Sequence, residues 1–312
     1  MKRTILLFLC FVIATMTMAQ TEIEKTAKAK SVSGVETKPD SLKAWFVTGS
    51  GLLTLSQAAF SNWSAGGENS VGLDAAINLK ANYRKGRHAW ANTLDLGYGF
   101  QFLGIGDNAE FRKTNDKLEL TTAYGYQLKE EGKWLLSGLV NFKTQFANGY
   151  AYPDDSTVIS KFMAPGYLVA GVGITYVPAK WVYFYLSPAS ARMTFVLDDT
   201  LSAQGQFGVD PGKNMRTEFG AYFRGDMNKD LAKNINLAST LELYTNYLKD
   251  FGNIDVNWNV LLTMKVNKWL AATINTQVIY DDDINISNQG GKGGPKTQFK
   301  ELIGVGLTYM IK

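Results

Sequence analysis

The stretch Val71–Tyr83 alternates without a fault. Val71, Leu73, Ala75, Ile77, Leu79, Ala81 and Tyr83 fall on one face, and Gly72, Asp74, Ala76, Asn78, Lys80 and Asn82 on the other. Seven consecutive matches to a period of two define an extended strand with one apolar and one polar side. The next segment repeats the pattern. Trp90, Leu94, Leu96, Tyr98, Phe100 and Phe102 stand against Ala89, Thr93, Asp95, Gly97 and Gln101. A chain of such strands must bury its apolar faces in a core or in lipid, as a propeller or a barrel does.

The same reading continues to the end of the chain. It places strands at residues 45–55, 71–83, 90–102, 118–128, 134–146, 168–176, 181–196, 217–227, 235–247, 256–266, 269–280 and 299–311, which makes twelve. The facing of the segment 181–196 is not legible. The connections alternate between short turns and long loops, the long ones being 56–70, 104–117, 147–165, 197–216, 248–255 and 281–298. Outer-membrane barrels are built this way, with an even strand number, short periplasmic turns and long extracellular loops.

Tryptophan spacing supports the same fold. Trp45, Trp90, Trp134, Trp181 and Trp269 recur at steps of 45, 44, 47 and 88 residues. Four of the five follow short polar turns such as Glu130-Glu131-Gly132-Lys133 and Asn267-Lys268. Tryptophan at one place in successive hairpins makes a ring, here the expected periplasmic aromatic girdle. A propeller also repeats every 40–50 residues, but it needs four short strands per repeat. Two strands of about 10–15 residues per repeat suit a bilayer crossing.

The ends and composition sharpen the expectation. Lys2-Arg3, an apolar run from Ile5 to Ala14 and the small residues of Thr17-Met18-Ala19 read as a signal peptide over residues 1–19. Residues 20–41 read as a flexible periplasmic lead-in, leaving 42–312 for a single antiparallel transmembrane barrel. The only cysteine, Cys10, lies in the signal, so disulfides, thiol catalysis and cysteine metal sites are excluded from the mature chain. Net charge is +4 over the whole chain, without a basic stripe, and no nucleic-acid partner is expected.

Chemistry-bearing residues are few. His88, the sole histidine, sits at a short turn beside Trp90, where an exposed turn residue is a better reading than a catalytic base. Asp281, Asp283 and Asn285 alternate as in a calcium loop, but Ile286 and Lys292 stand where such a loop needs Gly and Glu. They form at most a weak loop cation site, and a solvated acidic loop is favoured. Phe60 and Trp63 occupy the first long loop, as a constriction at the mouth or as rim packing. The polar faces carry Asp74, Lys80, Asp95, Lys117, Glu119, Lys143, Glu218, Arg224, Asp226, Glu242 and Lys265, which would point into the lumen. Both signs are mixed, so no single-sign ring marks a cation or anion pore.

Several stretches give a resemblance. Gln57-Ala58-Ala59-Phe60-Ser61-Asn62-Trp63-Ser64-Ala65-Gly66-Gly67, Leu241–Tyr247, Asn253–Trp258, Tyr280-Asp281-Asp282-Asp283 and Gly304-Val305-Gly306-Leu307-Thr308-Tyr309 resemble an uncharacterised family of outer-membrane barrels from Bacteroidota. The resemblance covers roughly residues 42–312. It implies an outer-membrane barrel without an established activity and brings no catalytic residues, cofactor or metal. Barrels of this kind usually end on an aromatic residue, and here Tyr309 would have to serve.

The expectation is therefore a non-enzymatic outer-membrane barrel acting as a narrow porin-like conduit for small polar solutes. Its surroundings would be lipid and lipopolysaccharide, with the barrel-assembly machinery as a transient partner. A non-conducting accessory barrel that docks partner proteins is the alternative, and an outer-membrane hydrolase the remotest reading.

Overall fold

The computed structural model describes residues 44–59, 69–104, 109–249, 251–284 and 294–311. The expected signal and most of the lead-in, and Phe60, Trp63 and Asn285, lie outside the described residues.

Twelve strands close into one antiparallel barrel: β1 (Trp45–Ala58), β2 (Ser70–Lys85), β3 (His88–Leu103), β4 (Glu110–Gln127), β5 (Trp134–Thr144), β8 (Gly166–Ala179), β9 (Val182–Phe195), β10 (Met215–Ala232), β11 (Ile235–Asn246), β12 (Asp255–Lys265), β13 (Leu270–Tyr280) and β14 (Gln298–Ile311). β6 (Gly149–Tyr150) and β7 (Val158–Ser160) form a separate small hairpin in the connection from β5 to β8. Each barrel strand pairs with its sequence neighbours in the barrel, and β1 pairs with β14, for example Gly51 opposite Tyr309. Closure matters physically because it leaves no unpaired sheet edge, which the hydrocarbon core would penalise.

The outside is apolar over most of its surface. Val47, Leu55, Ile77, Leu136, Val172 and Leu186 all expose their side chains outward. An exposed apolar surface that runs around a closed barrel is compatible with lipid and not with water. The five spaced tryptophans belong to this outer face, each between 36% and 52% exposed. Trp45 packs on Tyr83 and Trp90 with ring centroids 5.3 and 5.6 Å apart, and Trp134 stacks on Tyr176 at 4.3 Å. Trp90 also donates its indole N–H to Thr122 Oγ1 at 2.7 Å.

A second aromatic group lies at the long-loop ends of the strands. It includes Phe102, Phe111, Phe219, Tyr247 and Phe299, all exposed. Between Trp90 and Phe102 the strand rises about 40 Å at ~3.3 Å per residue. A tilt of 35–45° reduces this to roughly 30 Å across the membrane, close to the apolar band of a barrel.

Several strand limits differ from the sequence expectation. β4 begins at Glu110, eight residues before Leu118, so residues 110–117 of the expected loop 104–117 belong to the strand. Its first half reads as loop because Arg112, Lys113, Thr114, Asn115 and Asp116 put polar groups on both faces, and a bulge opposite Gly99 and Phe100 breaks the parity. β10 runs to Ala232, past Met227, leaving a turn of only Lys233-Asn234. β5 stops at Thr144, and Trp181 and Trp269 precede their strands by one residue. The loop after β9 holds a short helix α1 (Asp199–Ala203), capped by the Asp198 carboxylate accepting from the Leu201 amide at 3.0 Å.

Candidate functional site: the lumen

Strand parity brings the polar faces together inside the barrel. Asp74, Lys80, Asp95, Glu119, Lys143, Glu218, Arg224, Glu242 and Lys265, and likewise Lys117 and Asp226, all lie on the inward side of the registers that place the tryptophans outside. Their environments differ sharply around the circumference.

On the side formed by β5 and β8–β11 the lumen is packed. Leu139, Val169, Tyr185, Tyr222 and Tyr244 form an inward apolar cluster, and Asn141, Ser187, Ser190 and Thr194 are buried beside it. Against this cluster lies a charge network. Arg224 on β10 donates from Nε to Asp226 Oδ2 at 2.7 Å and from Nη1 to Glu242 Oε1 at 3.1 Å, with Glu119 Oε1 at 3.4 Å. Lys143 on β5 pairs with Glu242 on β11 and lies 3.8 Å from Glu119. Tyr222 Oη donates to Glu242 Oε1 at 2.5 Å, Thr240 Oγ1 to Asp226 Oδ1 at 2.7 Å, and Asn141 Nδ2 to Glu119 Oε1 at 2.8 Å. Each carboxylate therefore meets several donors, the condition under which buried charge is tolerated.

Two of these contacts cross the interior. Three strands separate β4 from β10 and three separate β5 from β11 in the barrel order, so the Glu119–Arg224 and Lys143–Glu242 pairs span a chord of the lumen. Neither pair is a neighbour along a strand or across a single ladder.

On the opposite side, from β12 through β14 and β1 to β3, the inward side chains are less enclosed. Among the described residues there, Thr273 and a few glycines and alanines are the only buried inward positions. Thr48 and Ser56 are exposed though they face inward, and Ser50, Asn78, Lys80, Asp95, Asn259 and Asn275 are half-buried. Asn78 Nδ2 donates to Asp95 Oδ1 at 2.5 Å, and Lys300 on β14 reaches across to Asn115 Oδ1 on β4 at 3.1 Å. The lumen is thus packed along one wall and open to water along the other.

At the long-loop mouth a second network centres on Arg192. Its guanidinium makes two bonds to Glu218, both 2.8 Å, and one to Asp255 at 2.5 Å, with Asp283 at 3.6 Å. Arg216 joins Glu218 at 3.0 Å and Asp283 at 3.0 Å. Asp283, one of the candidate cation ligands, is thereby occupied by arginines. Those arginines, with Lys249, keep its carboxyl below the usual range against the opposing effect of burial. Asp281 lies 4.0 Å from Arg192 and behaves differently: burial first, and then the nearby Asp255 carboxylate, push its pKa up to about 6. No cluster of three acidic or histidine ligands occurs among the described residues.

His88 is exposed, with Nδ1 2.6 Å from the Tyr124 hydroxyl and its ring against Tyr126. Neither partner is a nucleophile–carboxylate pair of the kind a hydrolase needs. Arg192, Arg216, Asp255 and Lys300 were absent from the sequence-based candidates. Arg192 was hidden by a bulge at Ser187–Ala189 that shifts the parity of β9, so Tyr183, Tyr185 and Ser187 face inward before it and Ser190, Arg192 and Thr194 after it.

The fold and lumen define a closed twelve-stranded antiparallel barrel with an apolar exterior and a charged, asymmetric interior. Residues 55–150 match the family described as "Protein of unknown function (DUF3078)". Among solved structures, an outer membrane channel from Pseudomonas putida F1 is similar at 15% identity and a TM-score of 0.38, covering 88% of this chain and 99% of that one. The NanC porin is similar at 10% identity and a TM-score of 0.38, covering 83% and 98%. The translocator domain of autotransporter NalP from Neisseria meningitidis is similar at 9% identity and a TM-score of 0.33, covering 88% and 90%. No curated protein matches significantly. At this level of similarity nothing about solutes transfers to this chain.

Proposed function

We propose that this protein is an outer-membrane barrel that serves as a narrow passive conduit for small polar solutes, without enzymatic activity. The observation that carries the reading is the asymmetry of the lumen. One wall is sealed by the Arg224 network and the Tyr185–Tyr222 cluster, while the wall of β12–β14 and β1–β3 keeps polar side chains in contact with water. A barrel filled throughout by side chains has no need of solvated serine, threonine and asparagine along half its interior. Twelve strands also fall between the eight that pack solid and the sixteen that leave a wide channel.

The outer apolar band would face lipid, with lipopolysaccharide around the long-loop end. The tryptophan ring would mark the periplasmic interface and the Phe102–Phe111 group the outer one. Insertion would fall to the barrel-assembly machinery. The test is conductance of the refolded protein in planar bilayers, with liposome swelling by small sugars as a second readout. Small, steady openings are expected. A silent bilayer with folded, heat-modifiable protein contradicts the reading and favours a non-conducting accessory barrel, which the chord-spanning ion pairs would also suit.

A further inference from the structure

The charges of the lumen are not balanced in what they show to water. Lys117 has a side chain 44% exposed, whereas its partner Glu119, 2.8 Å away, is 7% exposed. Lys143 is 22% exposed and its partner Glu242 only 9%. In both pairs the lysine side chain is the more exposed partner and the carboxylate lies inside the packed network. Lys80, Lys265 and Lys300 are half-buried on the inward face, with no carboxylate within 4.0 Å among the described residues.

Among the described residues, the inward carboxylates of that wall away from the mouth are Asp74 and Asp95. Asp95 has an oxygen occupied by the Asn78 amide, and the Asp74 Oδ2 atom is buried. At the mouth, Asp255 and Asp283 are held by Arg192 and Arg216. A lumen whose paired carboxylates are buried, and whose Lys80, Lys265 and Lys300 have no carboxylate in bonding distance, carries an excess of positive charge along that wall, although its total charge is mixed. Narrow passages with low-dielectric walls concentrate such a field, because charges within about 10 Å act together at ordinary ionic strength.

We propose that the passage prefers small anions, its selectivity set by Lys80 and Lys300 on the open wall, with Lys117 beside it on β4. This rests on the conduit reading above and names the solute class it would favour. A solute carrying one or two carboxylate or phosphate groups would meet ammonium donors along the wall without displacing any existing ion pair at Lys80 or Lys300.

The experiment is the reversal potential of the full-length refolded barrel in a planar bilayer under a potassium chloride gradient. The expected result is a potential of the sign that marks chloride as more permeant than potassium. In Lys80→Glu, and further in Lys80→Glu with Lys300→Glu, it should move through zero toward potassium preference. Lys80→Gln provides the milder variant, expected to shift the potential toward zero, and heat-modifiable mobility verifies folding of each. Conductance with no selectivity or with potassium preference in the unaltered protein overturns the inference and leaves the conduit standing. An unchanged potential in folded Lys80→Glu overturns the assignment to the open wall. Absence of any conductance overturns the conduit itself.

Discussion

Arg224 shows how much a single side chain can hold in this lumen. It is 5% exposed and lies within bonding distance of Asp226, Glu242 and Glu119, all buried. Arg224→Met leaves those carboxylates facing one another without their shared cation and is expected to cost about 3–5 kcal/mol. Urea unfolding in lipid vesicles measures the loss, and adding Glu242→Gln should recover part of it, because the two changes act on one network. Asp281 is the residue with a readable pH response. Its pKa of about 6 in the fold lies above the value of ~3.9 expected for an unfolded aspartate. The stability it contributes is therefore full below pH ~4 and is lost as pH rises through about 6. Asp281→Asn removes this loss, so the stability of the variant relative to the unaltered protein should rise between pH 4 and pH 7. A flat difference across that range contradicts the assigned pKa. Facing is tested at Ile77 and Asn78, adjacent on β2. Ile77 is 44% exposed on the lipid side, and Ile77→Arg should cost about 2–4 kcal/mol near mid-membrane, well above the cost of Asn78→Arg in the lumen. Equal costs would contradict the facing.

The strands differ in how plainly their sequence announces them, and the reason is the environment of each face. β2 and most of β3 separate an apolar side from a water-facing polar side, so strict alternation survives and their parity is legible. β9 meets an apolar cluster on its inward side and carries a bulge at Ser187–Ala189, and both effects erase the alternation. The early part of β4, Glu110–Lys117, has polar residues on both faces and reads as loop. The bulge on the β9–β10 ladder is matched by Gly220, which has no side chain where Thr245 of β11 approaches. An added Cβ there would sit 1.9 Å from the Thr245 carbonyl oxygen. Gly220→Ala must push β10 and β11 apart and should destabilise the barrel by about 1–3 kcal/mol, measured by unfolding in vesicles. No loss would mean that the ladder can relax at the bulge.

At the scale of the molecule, closure, strand number and the outward tryptophans follow from local patterns, because period-two alternation and turn spacing are local properties. The cross-lumen network does not. Glu119 and Arg224 are 105 residues apart in the chain, and Lys143 and Glu242 are 99 apart. Mixed-sign polar faces announce only that charges point inward; which of them meet depends on the curvature of the closed sheet. The consequence, a lumen sealed along one wall and wet along the other, is the central claim and can be examined by cysteine chemistry. The chain has a single native cysteine, Cys10. Ser50, on the open wall, and Ser190, 1% exposed on the sealed wall, are then replaced by cysteine in separate variants. Conductance is recorded in a planar bilayer before and after a water-soluble charged thiol reagent is added. The account predicts that Ser50→Cys is modified and its conductance falls, while Ser190→Cys neither reacts nor changes conductance. Rapid modification at Ser190, or a conducting Ser50→Cys barrel indifferent to the reagent, would contradict it.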